Sequence, residues 1–177
     1  MFIDLVRKRR SIRKYRQQPV EQEKIDLLIE TALRACSSRG VQPWEFVVIT
    51  DPQTMAQLAA AKPHGSAFLK DAPLVFVVCA DSAKTDVWVE DASIAAVFLH
   101  LAATDLGLGS CWSQIRLRDH DAQQSAGAYV ADLLGLRQGL EVEAIIAMGY
   151  PAEDKRPHPA DALPYDKISR ERYGRRA

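Results

Sequence analysis

Three guanidinium groups and a hydroxyl fall within five residues, Arg9-Arg10-Ser11-Ile12-Arg13, flanked by Arg7, Lys8, Lys14 and Arg16. Guanidinium forks match phosphate oxygens two bonds at a time, so the run suits a phosphate group. A solvated basic face or a nucleic-acid patch uses the same residue types, and the motif alone leaves these readings open. A second stretch, Cys36-Ser37-Ser38-Arg39-Gly40-Val41-Gln42-Pro43-Trp44, offers hydroxyls and free backbone N–H groups. By itself it reads as an ordinary helix-to-strand turn with Trp44 as a core anchor. A third, Gly107-Leu108-Gly109-Ser110-Cys111-Trp112-Ser113-Gln114, is not a dinucleotide fingerprint, because G-x-G-x-x-G is incomplete and follows a helical pattern. H-E-x-x-H, G-x-S-x-G and G-x-x-x-x-G-K-[ST] are all missing. His64, His100, His120 and His158 are far apart, so no metal site and no catalytic side chain is assigned.

Composition narrows the class further. The 177 residues suffice for one domain with a full core, and 1–177 is read as one. Lysine plus arginine equals aspartate plus glutamate, at 23 each, which argues against a nucleic-acid or membrane-surface binder. The longest apolar stretch, Ile94 to Ala103, is broken by His100 and is too short to span a bilayer. No secretory signal is evident. Cys36, Cys79 and Cys111 are odd in number and widely spaced, so a disulfide framework is not expected and a reducing cytoplasm fits.

The elements that must hold these groups follow from periodicity. A short helix is expected over Ile3 to Lys8, and a second where Ile25, Leu28, Ile29, Ala32 and Leu33 share one face. Trp44 to Ile49 reads as a strand. Asp51-Pro52 then caps a helix over Gln53 to Ala61. Leu74 to Ala80 is apolar throughout, as in a strand buried on both faces. Val87 to Leu106 is a helix apolar around nearly its whole circumference, to be buried in the domain or against another subunit. Gly107-Leu108-Gly109 is read as its stop, and Ser110-Cys111-Trp112 as leading into a loop. Helical segments are expected at Asp119 to Gln124 and Ala126 to Leu134, and a last core strand at Glu143 to Met148. From Glu153 the tail is polar and proline-bearing, an arm that needs another surface.

In this order the segments resemble the FMN-dependent nitroreductase family across nearly the whole chain. The matching runs start at Arg9, Ala35, Asp71, Glu90 and Ala144. The resemblance implies an α+β fold, a mainly antiparallel sheet surrounded by helices with an extended C-terminal arm. It implies a homodimer with FMN at the interface and NAD(P)H as co-substrate. Turnover is then ping-pong, toward a small acceptor such as a nitroaromatic or quinone. Arg9, Arg10, Ser11 and Arg13 are implied to hold the FMN phosphate and ribityl chain. Cys36, Ser37 and Ser38 of the partner subunit are implied to approach the ring. Trp112, Ser113 and Gln114 lie against its reactive edge, and Arg156 is the candidate basic residue completing the phosphate site. Proline is common in the family where Cys36 stands, and asparagine where Gly40 stands. An Asn and a Lys that touch the flavin in some members have no counterparts near Gly65 to Phe68. These departures keep open a flavin-binding storage or sensor module without NAD(P)H turnover.

Overall fold

The computed structural model describes residues 1–175. Leu74 to Ala80 is buried at every position and forms most of strand β2 (Leu74–Asp81). It pairs antiparallel with β1 (Trp44–Ile49) on one side and β4 (Leu140–Gly149) on the other. The fourth strand, β3 (Gly109–Gln114), pairs antiparallel with β4, so the sheet order is β1-β2-β4-β3. Successive side chains alternate between the two faces. Val75, Val77, Ile145 and Ala147 meet α3 (Pro52–Ala59) and α5 (Ala126–Leu134) through Met55, Leu58 and Val130. Phe76, Val78, Ile146 and Met148 meet α2 (Gln22–Leu33) and α4 (Trp88–Asp105) through Leu28, Ala96 and Leu99. The shortest helix, α1 (Phe2–Lys8), has no buried residue.

The helix start at Asp51 follows its sequence signal. The Asp51 carboxylate accepts from Thr54 N–H at 2.8 Å, and Pro52 stands in the first turn, where it forfeits no bond. Two expectations are corrected. Residues 110–112 do not enter a loop: they belong to β3. The run Gly-Ser-Cys-Trp-Ser-Gln carries little β propensity, and pairing with β4 overrides it. Gly107, at φ 77°, is what ends α4, whereas Gly109 opens the strand. Residues 119–124 are not helical. The Asp121 carboxylate accepts from Gln123 and Gln124 N–H at 2.8 Å each, a local turn that competes with helix.

The all-apolar helix is explained on one side only. Ala92, Ala95, Ala96, Leu99 and Ala103 face the sheet, while Val97 is 51% exposed and Ile94 36%. On the opposite face of α4, Ile94 and Val97 therefore have no cover among the described residues.

Gly109 packs where no side chain fits: a Cβ there would lie 2.7 Å from the Ile12 Cβ. Gly109→Ala is expected to destabilise the fold by about 2 kcal/mol. Differential scanning calorimetry should show a Tm lower by roughly 4–8 °C.

Candidate functional site

The segment after α1 runs along the outer edge of β3. Ser11 pairs with Ser110 in a parallel bridge, and Ile12 N–H donates to the Ser110 carbonyl at 3.0 Å. Tyr15 O–H anchors the same segment by donating to the Ile12 carbonyl at 2.6 Å, and burial keeps this phenol protonated. Below the bridge, Ser110 Oγ lies 2.7 Å from His100 Nδ1 on α4. Burial, and then the nearby Arg9 charge, lower the His100 pKa to about 4, so the ring is neutral at neutral pH.

The chain returns to this edge after β4. Glu153 accepts from Arg13 N–H at 2.6 Å and Lys14 N–H at 3.3 Å. Lys155 Nζ donates to the Ser11 carbonyl at 2.7 Å and lies 3.2 Å from Glu153. Arg13, Lys155 and Arg9 all bear on the Cys111 thiol of β3. Burial raises that thiol's pKa, and these three cations oppose the rise while Glu153 adds to it. Cations thus outnumber carboxylates beside the first half of β3, which suits a phosphate. A cleft of about 240 Å³ adjoins these groups at the C-terminal end of α4, lined by Lys8, Arg10, Gly109, Glu153, Asp154 and Lys155. Its three cations outnumber its two carboxylates, so it shares the positive character of the cradle.

Two residues beyond Cys111, Ser113 has a buried hydroxyl with no hydrogen-bond partner among the described residues. Such a group is stabilised by a ligand that reaches it. Because the Ser110 carbonyl points outward to Ile12, strand alternation turns the backbone groups of Trp112 and Gln114 to the same outer edge. Their side chains interlock: Trp112 Nε1 donates to Gln114 Oε1 at 2.9 Å, and Gln114 Nε2 to the Arg116 carbonyl at 2.9 Å. This edge offers cations at one end and unspent polar groups at the other.

Of the residues singled out from sequence, Arg9, Ser11, Arg13, Trp112, Ser113 and Gln114 gather along β3. Arg10 turns aside, its guanidinium donating to the Arg156 carbonyl. Arg156 itself is exposed, and it is Lys155, one residue earlier, whose ammonium points inward. Cys36, Ser37 and Ser38 do not join the group within one chain. They follow α2 and precede β1, at the opposite sheet edge from β3. There Ser38 N–H donates to the buried Asp91 carboxylate at 2.8 Å, and Ser37 Oγ accepts from Gln42 N–H at 2.9 Å. Sequence reasoning missed Lys155, Glu153 and the His100–Ser110 pair. A Glu-x-Lys following Gly149-Tyr150-Pro151 was the available signal for the first two; nothing local marks the third.

Two helical layers on an antiparallel sheet, with a cationic cradle along an edge strand, define an α+β protein built to hold a phosphate-bearing ligand. The chain belongs to the Nitroreductase family, which it matches over residues 6–63 and 57–150. An FMN-dependent nitroreductase of Clostridium difficile has the same fold, at 43% identity and a TM-score of 0.95, covering 97% of this chain and 99% of that one. A NADPH:FMN oxidoreductase of Vibrio harveyi, solved with NAD+, is 26% identical with a TM-score of 0.82, over 97% of this chain and 77% of its own. A NADH dehydrogenase of Thermus thermophilus is 29% identical over 198 residues, 91% of each chain. No helix among the described residues is long and apolar enough to cross a membrane.

The depressed His100 pKa has a consequence for stability. Between pH 6.5 and about 4 the unfolded chain takes up a proton at His100 that the folded chain refuses. Stability therefore falls as pH falls through that window, by on the order of 3 kcal/mol from this group. Urea denaturation at pH 7 and pH 4.5 should show a smaller pH-dependent loss in His100→Gln than in the wild type.

Proposed function

We propose that this chain is an FMN-dependent oxidoreductase. It takes reducing equivalents from NAD(P)H and delivers them to a small acceptor, such as a nitroaromatic or a quinone, in ping-pong turnover. The observation that carries the reading is the match between the β3 edge and a flavin mononucleotide. An excess of cations stands at one end, and a buried unpartnered hydroxyl and free backbone groups lie one strand step on, about 7 Å away. The family membership and the relatives' activities support it. Bound FMN would supply the hydride chemistry, and the protein supplies binding, orientation and electrostatics.

In this reading Arg9, Arg13 and Lys155 neutralise the phosphate, and Ser11 borders it on the bridged segment. Arg10 and Arg156 contribute by closing on each other, which fixes the stretch that carries Lys155. Trp112, Ser113 and Gln114 face the ring, with the Trp112–Gln114 hydrogen bond holding that surface rigid. The whole of 1–177 acts as a single FMN-binding unit.

Cys36 to Ser38 can reach a flavin on β3 only from a second copy, because the width of the sheet separates them. The uncovered apolar surface favours such a homodimer. Phe2 is 69% exposed and Val97 51%, and a groove of about 570 Å³ lies between α1 and α4, lined by Phe2, Leu5, Phe98 and Leu101. Tyr165 and Ile168 on the arm are exposed as well.

Purified protein is expected to be yellow and to bleach anaerobically with NADH or NADPH. A colourless protein that FMN does not reconstitute would overturn the assignment. Arg13→Ala removes one charge-assisted contact and should weaken FMN binding about tenfold or more. Titration of apoprotein with FMN, followed by flavin fluorescence, reads that loss, and Arg10→Ala should lose less. Light scattering on a sizing column should give a dimer, with Val97→Asp shifted to monomer and depleted of FMN.

A further inference from the structure

The turn between α2 and β1 is held in a conformation that its own residues disfavour. Arg39, Gly40 and Gln42 all stand in the left-handed region, at φ 52°, 68° and 50°. For arginine and glutamine this is costly, and such backbone persists only where its surroundings impose it. Within the turn, Ser37 Oγ accepts from Gln42 N–H at 2.9 Å. The other restraints come from α4. Asp91, in its first turn, accepts from Ser38 N–H at 2.8 Å. One helical turn on, Ala95 packs with Ala35 and Trp44, the residues that flank the turn on either side. A further turn on, Phe98 joins the same cluster and also lines the groove between α1 and α4. Their i, i+4 and i+7 spacing puts Asp91, Ala95 and Phe98 on one face of the helix.

Asp91 is a costly anchor for a turn. It is 2% exposed, Oδ1 has its single bond to Ser38, and Oδ2 is buried with no hydrogen-bond partner among the described residues. A carboxylate buried with so little compensation stabilises the fold poorly, even in the first turn of a helix. An apolar side chain would fill the same space beside Ala95 and Trp44 at less cost. What it could not do is fix Ser38 N–H, and with it the direction of the half-buried Ser37 and Ser38.

We propose that Asp91 is a positioning residue of the flavin site that acts across the dimer. It fixes the Ser37–Ser38 turn of one copy in the shape that meets the flavin ring held on β3 of the other. The role rests on the homodimeric FMN reading above. Asp91 itself touches no flavin and acts through the Ser38 backbone. Phe98, on the same helix face, ties the turn to the groove assigned above to the second copy.

Titration of apoprotein with FMN should show binding to Asp91→Ala weakened about tenfold or more, with the dimer retained on a sizing column. Asp91→Asn keeps an oxygen for Ser38 N–H and should stay within about threefold of wild type. The decisive sample is a hybrid dimer of one Arg13→Ala copy and one Asp91→Ala copy, isolated after co-expression with two different affinity tags. Each parent homodimer has both sites impaired. In the hybrid, the intact turn of the Arg13→Ala copy meets the intact β3 edge of the Asp91→Ala copy, so one of the two sites should regain wild-type affinity. A residue that supports only its own fold, or only the site on its own copy, restores neither. Wild-type affinity in Asp91→Ala, a hybrid with no tight site, failure of Asp91→Asn to rescue, or FMN loss that accompanies loss of the dimer each overturns the role. Asp91→Leu, apolar and of similar volume, replaces Asp91→Ala throughout if that variant does not fold. Wild-type protein that cannot be loaded with FMN would overturn the oxidoreductase reading itself, a result distinct from a wild type that binds FMN beside a hybrid with no tight site.

Discussion

An edge strand leaves every second N–H and C=O group unpaired, and among the described residues β3 has only residues 11 and 12 to cover it. The Ile12 N–H to Ser110 carbonyl bond is where that cover is fastened. It carries the arginine run to the sheet, lets Gly109 meet Ile12 without a side chain between them, and puts Ser11 within reach of Lys155. The neutral His100 ring supports the same point from beneath through Ser110 Oγ. Farther along β3 no segment among the described residues pairs with the edge, and there the polar groups remain available to a ligand. One strand is thus half structural seam and, in the proposed function, half binding edge.

Charge is distributed with the same economy. Formal neutrality over the chain conceals a local excess around Cys111, where Glu153 both orders the backbone of Arg13 and Lys14 and offsets one cation. Were Glu153 absent, three cations would repel one another in the empty site; were it doubled, a phosphate would gain little. The cleft at the end of α4 belongs to the same excess: Lys8, Arg10 and Lys155 line it against Glu153 and Asp154.

The helix α4 links the two halves of the proposed site. Its inner face carries Leu99 into the core and His100 to Ser110, while near its start Asp91 holds the Ser38 turn at the far sheet edge. Its outer face is apolar and open. In the homodimer proposed above, that open face is where a second copy would pack.

Much of this was legible in the residues. The capped start at Asp51-Pro52, the doubly buried run Leu74 to Ala80 and the Arg9 to Arg13 cluster announce themselves because each depends on neighbours in sequence. The strand β3 did not, since Gly-Ser-Cys-Trp-Ser-Gln has no pattern of its own and takes its conformation from β4. Residues 119–124 misled for the converse reason: one carboxylate, Asp121, captured the local N–H groups before a helix could use them. The choice of Lys155 over Arg156 as the inward cation turned on backbone direction after Pro151, which adjacent basic residues cannot reveal. Sequence alone therefore determined which chemical groups the protein possesses and where its capped or strongly periodic segments lie, since short-range periodicity and capping encode these. Only the tertiary structure decided which cations share a site, because that depends on pairings across more than a hundred residues, such as Lys155 with Ser11.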